Sequence, residues 1–162
     1  MDLDSIYSQI EKLSIVELFE DPIKAGLTAM NAKLAEIQNK KSQAAVLSNK
    51  IITARGKALS LLNTSESIYG SKLSALMSSD ERVRVGKSKD DRAALANSIL
   101  KDEYEEVNDL RTKFQVLDTL RECIENCLHT IKTAKETISN QLRVIQMQIQ
   151  IGEVNSSDFF EK

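Results

Sequence analysis

Two cysteines and the single histidine are the side chains in this sequence best suited to metal or redox chemistry. Cys123 and Cys127 lie one helical turn apart, and His129 follows two residues later. A structural zinc site needs four ligands of suitable geometry, whereas free cysteine is often a small core residue. The chain holds no other cysteine or histidine. We therefore interpret both cysteines as core side chains and expect neither a metal nor a cofactor.

Two other segments contain fragments of known chemical motifs. Five carboxylates and no base lie within residues 102–109, but the glycine turn of a calcium loop is missing. Gly86-Lys87-Ser88 resembles the end of a phosphate-binding loop without the upstream glycine and strand. We expect a protein that is not an enzyme. The acidic segment is interpreted as a solvated face, or as a docking site for the basic region of another subunit or a protein partner.

Basic residues form the strongest chemical pattern, because charge is segregated along the chain. Residues 24–57 hold seven bases against one acid, and residues 82–92 hold five bases against two acids, whereas residues 1–21 hold six acids and one base. Rows of cations neutralise phosphates, a mode of binding nucleic acid that needs charge more than base contacts. An ordinary charged helix surface is the alternative. The predicted nucleic-acid contacts are Lys40, Lys41, Lys50, Arg55, Lys57, Lys72, Arg82, Arg84, Lys87, Lys89 and Arg92.

Helices must position these residues, because apolar side chains recur every three to four positions along most of the chain. Asp21 is a favourable N-cap and Pro22 is tolerated at a first helical position. Ser88 and Asp91 match a capping box, and Gly152 suits the position after a helix end. The pattern predicts a short helix at about 3–20 and long helices at about 22–79 and 89–151, with a loop at 80–89.

The two long helices have nearly equal lengths, which favours an all-α fold built as a long antiparallel helical hairpin or coiled coil. We expect one elongated domain over residues 1–152 and a flexible tail over 153–162. A two-helix hairpin buries one stripe per helix, so we expect a homo-oligomer. The predicted oligomer or partner interface consists of Leu110, Phe114, Leu117, Ile124, Ile131 and Ile138.

Neither a membrane span nor a secretion signal is expected. No stretch reaches the roughly 20 apolar residues that a spanning helix needs. The chain begins Met1-Asp2-Leu3-Asp4, which is acidic where a signal peptide is basic. These features favour a cytoplasmic protein.

One stretch resembles the UvsY-type recombination mediators of tailed phages. It is Ile68-Tyr69-Gly70-Ser71-Lys72, a tyrosine–glycine–basic sequence that follows the basic segment; a long helix containing Ile131-Lys132 and Ile138 comes later. The resemblance extends over about residues 30–150, although this chain is longer, more acidic and has one tyrosine where the family tends to have two. It implies a phage-encoded helical protein that self-assembles, binds single-stranded DNA and loads a recombinase. Candidate strand contacts are then Lys50, Arg55, Lys57 and Lys72.

Together these observations predict an oligomeric accessory protein that binds the phosphate backbone of single-stranded DNA and contacts a recombinase or other protein. The alternative is a structural coiled-coil adaptor, scaffold or chaperone subunit with no role in nucleic-acid binding.

Overall fold

The computed structural model describes residues 3–152 and 155–160, apart from the side chains of residues 157 and 158. Every regular element in this part of the chain is a helix, which confirms the predicted all-α class. The described elements are α1 (Leu3–Ser14), α2 (Pro22–Ser79), α3 (Glu81–Arg84), α4 (Lys89–Ile99), α5 (Lys101–Gln150) and α6 (Ser156–Phe160).

The chain divides into two compact units. The terminal unit comprises residues 1–50 and 120–162, and the central unit comprises residues 51–119. Helices α1 and α6 belong to the terminal unit and α3 and α4 to the central unit, whereas α2 and α5 contribute segments to both. The single domain that the sequence suggests stays a prediction.

In the central unit, segments of α2 and α5 lie against each other. Arg55 contacts Asp118, and Lys72 contacts Glu103, so the two segments run in opposite directions here. The buried apolar side chains of this unit are Ile51, Ala58, Leu62, Val83, Ala96, Leu100, Val107 and Leu117. A hairpin or coiled coil along the whole chain, and its oligomeric assembly, stay predictions.

In the terminal unit, helices α1, α2 and α5 each bury a stripe of apolar side chains. Burying one aliphatic side chain stabilises a fold by about 1.5–3 kcal/mol. The stripe of α1 is Ile6, Ile10 and Leu13, and that of α2 includes Met30, Ile37 and Ala44. The stripe of α5 comprises Leu120, Ile124, Cys127, Ile131, Ala134, Ile138 and Ile145.

Helix α1 ends at Ser14, whereas the sequence predicts a helix to about residue 20. The Ser14 hydroxyl donates to the Ile10 carbonyl over 2.8 Å. The next carbonyl, that of Ile15, accepts a hydrogen bond from the Lys40 ammonium of α2. This carbonyl is therefore satisfied without another turn of helix, which explains the early end.

Helix α2 begins where the sequence predicts. Pro22 is its first residue, and an Asp21 carboxylate oxygen accepts from the Lys24 N–H over 3.2 Å. Gly26 has φ 75° and ψ 168°, a conformation that glycine adopts easily, and the helix kinks there. The helix then continues through Gly56 and Gly70 to its end.

The loop predicted at 80–89 and the continuous helix predicted at 89–151 both need correction. Residues Glu81–Arg84 form the short helix α3, with Val83 fully buried. The later helix is interrupted at Leu100, whose φ of −95° and ψ of 31° leave the helical region. The Leu100 side chain is buried in the core of the central unit at this interruption.

The segment predicted as a flexible tail contains helix α6. Phe159 is fully buried and its ring lies 5.4 Å from that of Phe160 in an edge-on arrangement. Burial of the aromatic ring stabilises this short helix. Residues 153, 154, 161 and 162 of the predicted tail lie outside the described residues.

Candidate nucleic-acid interface

The basic turn, residues 82–92 of the central unit, displays three cations to solvent. Arg84, Lys87 and Lys89 are exposed and make no ion pair with any residue that the structure describes. The other two cations hold the turn together. Arg82 contacts the Asp80 carboxylate at 2.7 Å, and Arg92 donates to the Ser88 carbonyl at 3.3 Å.

Two helix caps fix the shape of the basic turn. Asp80 caps α3, accepting from the Arg82 N–H over 2.8 Å, and the Arg82 guanidinium lowers the pKa of this carboxyl. Ser88 and Asp91 form the predicted capping box of α4, with bonds of 3.0 and 3.1 Å. Between the caps, Gly86 lies so close to Arg92 that an added Cβ would be 2.9 Å from the Arg92 nitrogen. The exposed cations therefore extend from a tightly built backbone.

On the part of α2 in the central unit, two of the three predicted contacts are engaged within the fold. Arg55 binds an Asp118 oxygen at 2.7 Å, and its guanidinium carbon lies 4.8 Å from the centre of the Phe114 ring. Lys72 binds Glu103 at 2.7 Å and lowers the pKa of that carboxyl. Lys57 is exposed and makes no ion pair among the described residues.

In the terminal unit, Lys41 and Lys50 are exposed and make no ion pair within the described part of the chain. Lys40 is partly buried. Its ammonium contacts Glu36 at 3.4 Å in addition to the Ile15 carbonyl. Of the eleven predicted contacts, those left exposed and without an ion pair are Lys41, Lys50, Lys57, Arg84, Lys87 and Lys89.

The predicted oligomer interface is largely core. Leu117, Ile124, Ile131 and Ile138 are each 3% exposed or less in the single chain, and Leu110 and Phe114 are partly buried. A side chain already covered by its own chain has no surface left for a partner. In this conformation the four core side chains are therefore not available to a second copy, whereas Leu110 and Phe114 keep part of their surface.

The other chemical candidates are the two cysteines and the acidic segment. Cys127 is buried, Cys123 is partly buried, and neither forms a disulfide. No group of three or more His, Cys, Asp or Glu side chains in the described residues could hold a metal ion. In the acidic segment, Glu103 contacts Lys72 and Glu105 contacts Lys101 at 3.7 Å.

Sequence reasoning missed three surface features. Lys12 of α1 lines the same groove as Lys40 and Lys50, which its isolation among the acids of residues 1–21 could have suggested. Tyr104 is 45% exposed, and its ring centre lies 6.0 Å from that of Tyr69, from which it is distant in sequence.

The third feature is an apolar stripe on α5 and the residue after it, Val144, Met147 and Ile151, which are 54%, 56% and 69% exposed. Their spacing of three and four is visible in the sequence, but spacing alone does not distinguish an exposed stripe from a core one.

No helix in the described residues is both long enough and apolar enough to cross a membrane. No protein-family model, curated protein or solved structure gives a significant match to this chain.

Proposed function

We propose that this protein is a non-enzymatic accessory factor that binds single-stranded DNA through its phosphate backbone. The supporting observation is a set of six exposed cations that make no ion pair with described residues. Lys41, Lys50 and Lys57 lie on α2, and Arg84, Lys87 and Lys89 lie in the basic turn. Phosphate contacts of this kind supply sequence-independent affinity that falls steeply with salt. The resemblance to UvsY-type mediators leads to the same class of ligand.

An exposed aromatic ring supports a single strand over a duplex. Unpaired bases stack on aromatic side chains, whereas the bases of a duplex are already stacked on one another. The fold brings Tyr104 beside Tyr69 in the central unit, where the Tyr69 hydroxyl is bonded to Asn97. Tyr104 keeps an exposed surface on which a base can stack, and the acidic neighbours Glu103 and Glu105 are paired with Lys72 and Lys101.

The finer parts of the proposal follow from the sequence pattern and from the resemblance. The protein assembles into a homo-oligomer of hairpin or coiled-coil protomers and delivers the strand to a recombinase. The acidic segment at 102–109 is the proposed contact for that basic partner or for a neighbouring subunit.

The test is a titration of a labelled single-stranded oligonucleotide with the full chain, followed by fluorescence anisotropy at about 50 and 200 mM salt. We expect saturable binding that weakens steeply between these concentrations. The double variant Lys50→Glu/Lys57→Glu should bind much more weakly than Lys113→Glu/Lys135→Glu, which changes charge equally at exposed lysines outside the predicted site. Absence of binding by the unsubstituted protein at the lower salt would contradict the proposal.

A structural adaptor is the second candidate, and the exposed stripe Val144, Met147 and Ile151 favours it. Three apolar side chains on one helical face are suited to a partner protein or a second copy. On this alternative, Met147→Glu abolishes function, whereas the lysine reversals leave it unchanged. Substitutions at Leu117 or Ile124 would not discriminate, because both side chains lie in the core.

A further inference from the structure

A groove in the terminal unit lies between α1 and α2 and has a volume of about 650 Å³. Three lysines line it, namely Lys12 from α1 and Lys40 and Lys50 from α2. Amide side chains of Gln9, Asn39 and Gln43 line it as well. The volume is within the range of about 300–1,000 Å³ that is usual for ligand-binding clefts.

The groove carries surplus positive charge. Glu36 is the one acidic residue lining it in the described part of the chain, and this carboxylate is already bonded to Lys33 at 2.7 Å and to Lys40 at 3.4 Å. These bonds, chiefly the one from Lys33, lower the pKa of Glu36 and keep it ionised and compensated. Lys12 and Lys50 are exposed and make no ion pair with described residues, so their charges remain available to a ligand.

The position of Lys12 is informative because of its surroundings in the sequence. Residues 1–21 contain six acids and this one base. The base lines the groove, whereas none of the acidic residues that the structure describes in that segment does. Helix α1 thus adds positive charge to the groove although the segment is strongly acidic.

The remaining lining groups suit a polynucleotide better than a bare anion. Amide groups donate and accept hydrogen bonds, as base edges require. Val46 lines the groove and is 57% exposed, which provides an apolar surface for a sugar or a base. The groove therefore offers lysines for the phosphates, amides for the bases and an apolar surface for a sugar or a base.

We propose that a single nucleic-acid strand passes through this groove, with Lys12 and Lys50 neutralising its phosphates and Gln9 and Asn39 contacting its bases or sugars. The inference rests on the proposed function and extends it. It makes α1, which lies in a strongly acidic segment, one wall of the binding site.

The first experiment compares Lys12→Gln with Lys24→Gln in the full chain, since Lys24 is an exposed lysine of the same unit that does not line the groove. Loss of one phosphate contact reduces the salt slope by about 0.7 and weakens binding about fivefold near 100 mM salt. We expect both changes for Lys12→Gln and neither for Lys24→Gln. Circular dichroism checks that each variant remains helical.

The second experiment places the photo-crosslinking amino acid p-benzoylphenylalanine at Gln9, and at Tyr7 as the control. Both positions are on α1, but Tyr7 does not line the groove. We expect the labelled oligonucleotide to crosslink from position 9 and not from position 7. Inorganic tripolyphosphate is added as a competitor, to separate a strand from a free polyphosphate.

The outcomes separate this inference from the proposed function. If the unsubstituted protein fails to bind the oligonucleotide, the proposed function fails and the groove has no strand to hold. If it binds but neither Lys12→Gln nor the crosslink at position 9 differs from its control, only the groove is excluded. If tripolyphosphate displaces the strand at an equal concentration of phosphate groups, the groove is a polyphosphate site and the inference is overturned.

Discussion

Arg55 carries the charge that a strand contact needs, but its guanidinium is held within the central unit. It binds Asp118 at 2.7 Å and lies over the Phe114 ring. An exposed ion pair contributes about 0.2–1 kcal/mol and an exposed cation–π contact about 0.5–1 kcal/mol. Arg55 therefore stabilises the fold. A loss of DNA binding in an Arg55 variant could then come from lower stability or from the loss of a phosphate contact.

The first prediction follows from this engagement. Arg55→Ala should lower the free energy of unfolding by about 1–2 kcal/mol, because both contacts and the packing of the side chain are lost. Lys57→Ala, at a nearby exposed lysine, should change it by less than about 0.5 kcal/mol. Urea denaturation followed by circular dichroism measures both values. Equal stability of the two variants would contradict a structural role for Arg55.

The second prediction concerns two glycines in different surroundings. A Cβ at Gly86 would meet the Arg92 nitrogen at 2.9 Å and the Arg92 Cγ at 2.8 Å, whereas nothing lies within 4 Å of one at Gly70. Gly86→Ala should destabilise the protein by about 1–3 kcal/mol through overpacking. Gly70→Ala, inside a helix, should stabilise it by about 0.5–1 kcal/mol. Thermal melts of the two variants should shift in opposite directions, and a shift of the same sign would refute the tight approach at Gly86.

At the scale of helices, local signals were sufficient to predict beginnings but not all ends. Asp21 with Pro22, and Ser88 with Asp91, act within one helical turn, so the starts of α2 and α4 can be read from the sequence. The end of α1 depends on Lys40, 25 residues away from Ile15. Such contacts exist only after the chain folds, and periodicity therefore extends the helix too far.

The same argument applies to the candidate site. Lys50 and Lys57 belong to the basic pattern and are exposed in the fold. Arg55 and Lys72 belong to the same pattern, but their carboxylate partners are 63 and 31 residues away. Composition identifies a basic segment, whereas the pairing of helices decides which of its cations remain available.

The third prediction uses the pH dependence of the contact between α2 and α5. Lys72 holds the pKa of Glu103 below its ordinary value of 4.5, so the folded state binds this proton less readily than the unfolded state. The stabilisation is complete above pH 4.5 and is lost as the pH falls through the lower folded value. Lys72→Gln should therefore be less stable than the unsubstituted protein at about pH 6, with the difference disappearing towards about pH 2.

Urea unfolding at the two pH values measures this difference, with Lys57→Gln as the control because Lys57 contacts no described carboxylate. A Lys72→Gln difference that stays constant with pH would show that the lysine stabilises the unit by packing and not by charge.

The fourth prediction concerns helix α6. Phe159 is fully buried and Phe160 is 51% exposed, although the two are neighbours in sequence. Phe159→Ala should destabilise the protein by about 3–5 kcal/mol, as expected for an aromatic ring removed from a core. Phe160→Ala should cost much less. Denaturant midpoints of the two variants are compared, and equal midpoints would mean that α6 is not part of the folded core in solution.

For the whole molecule, a net charge of −2 conceals 22 basic and 24 acidic residues, so long-range attraction of a polyanion is weak. Binding must depend on local clusters such as the basic turn, and salt should weaken it strongly. Assembly through apolar surface does not weaken in this way, because burial of apolar groups persists when charges are screened. The two activities should therefore separate when salt is raised.

The last prediction tests this separation on the exposed stripe of α5. If Val144, Met147 and Ile151 mediate self-association, light scattering at about 500 mM salt should give a multiple of the 18.1 kDa chain mass while DNA binding is lost. Met147→Glu places a charge in the centre of that stripe, and an unpaired buried charge is costly, so the mass should fall to 18.1 kDa. Gln146→Glu introduces the same charge at an exposed neighbouring position and should leave the assembly intact. A single-chain mass for the unsubstituted protein, or an unchanged oligomer in Met147→Glu, would exclude this stripe as the assembly surface.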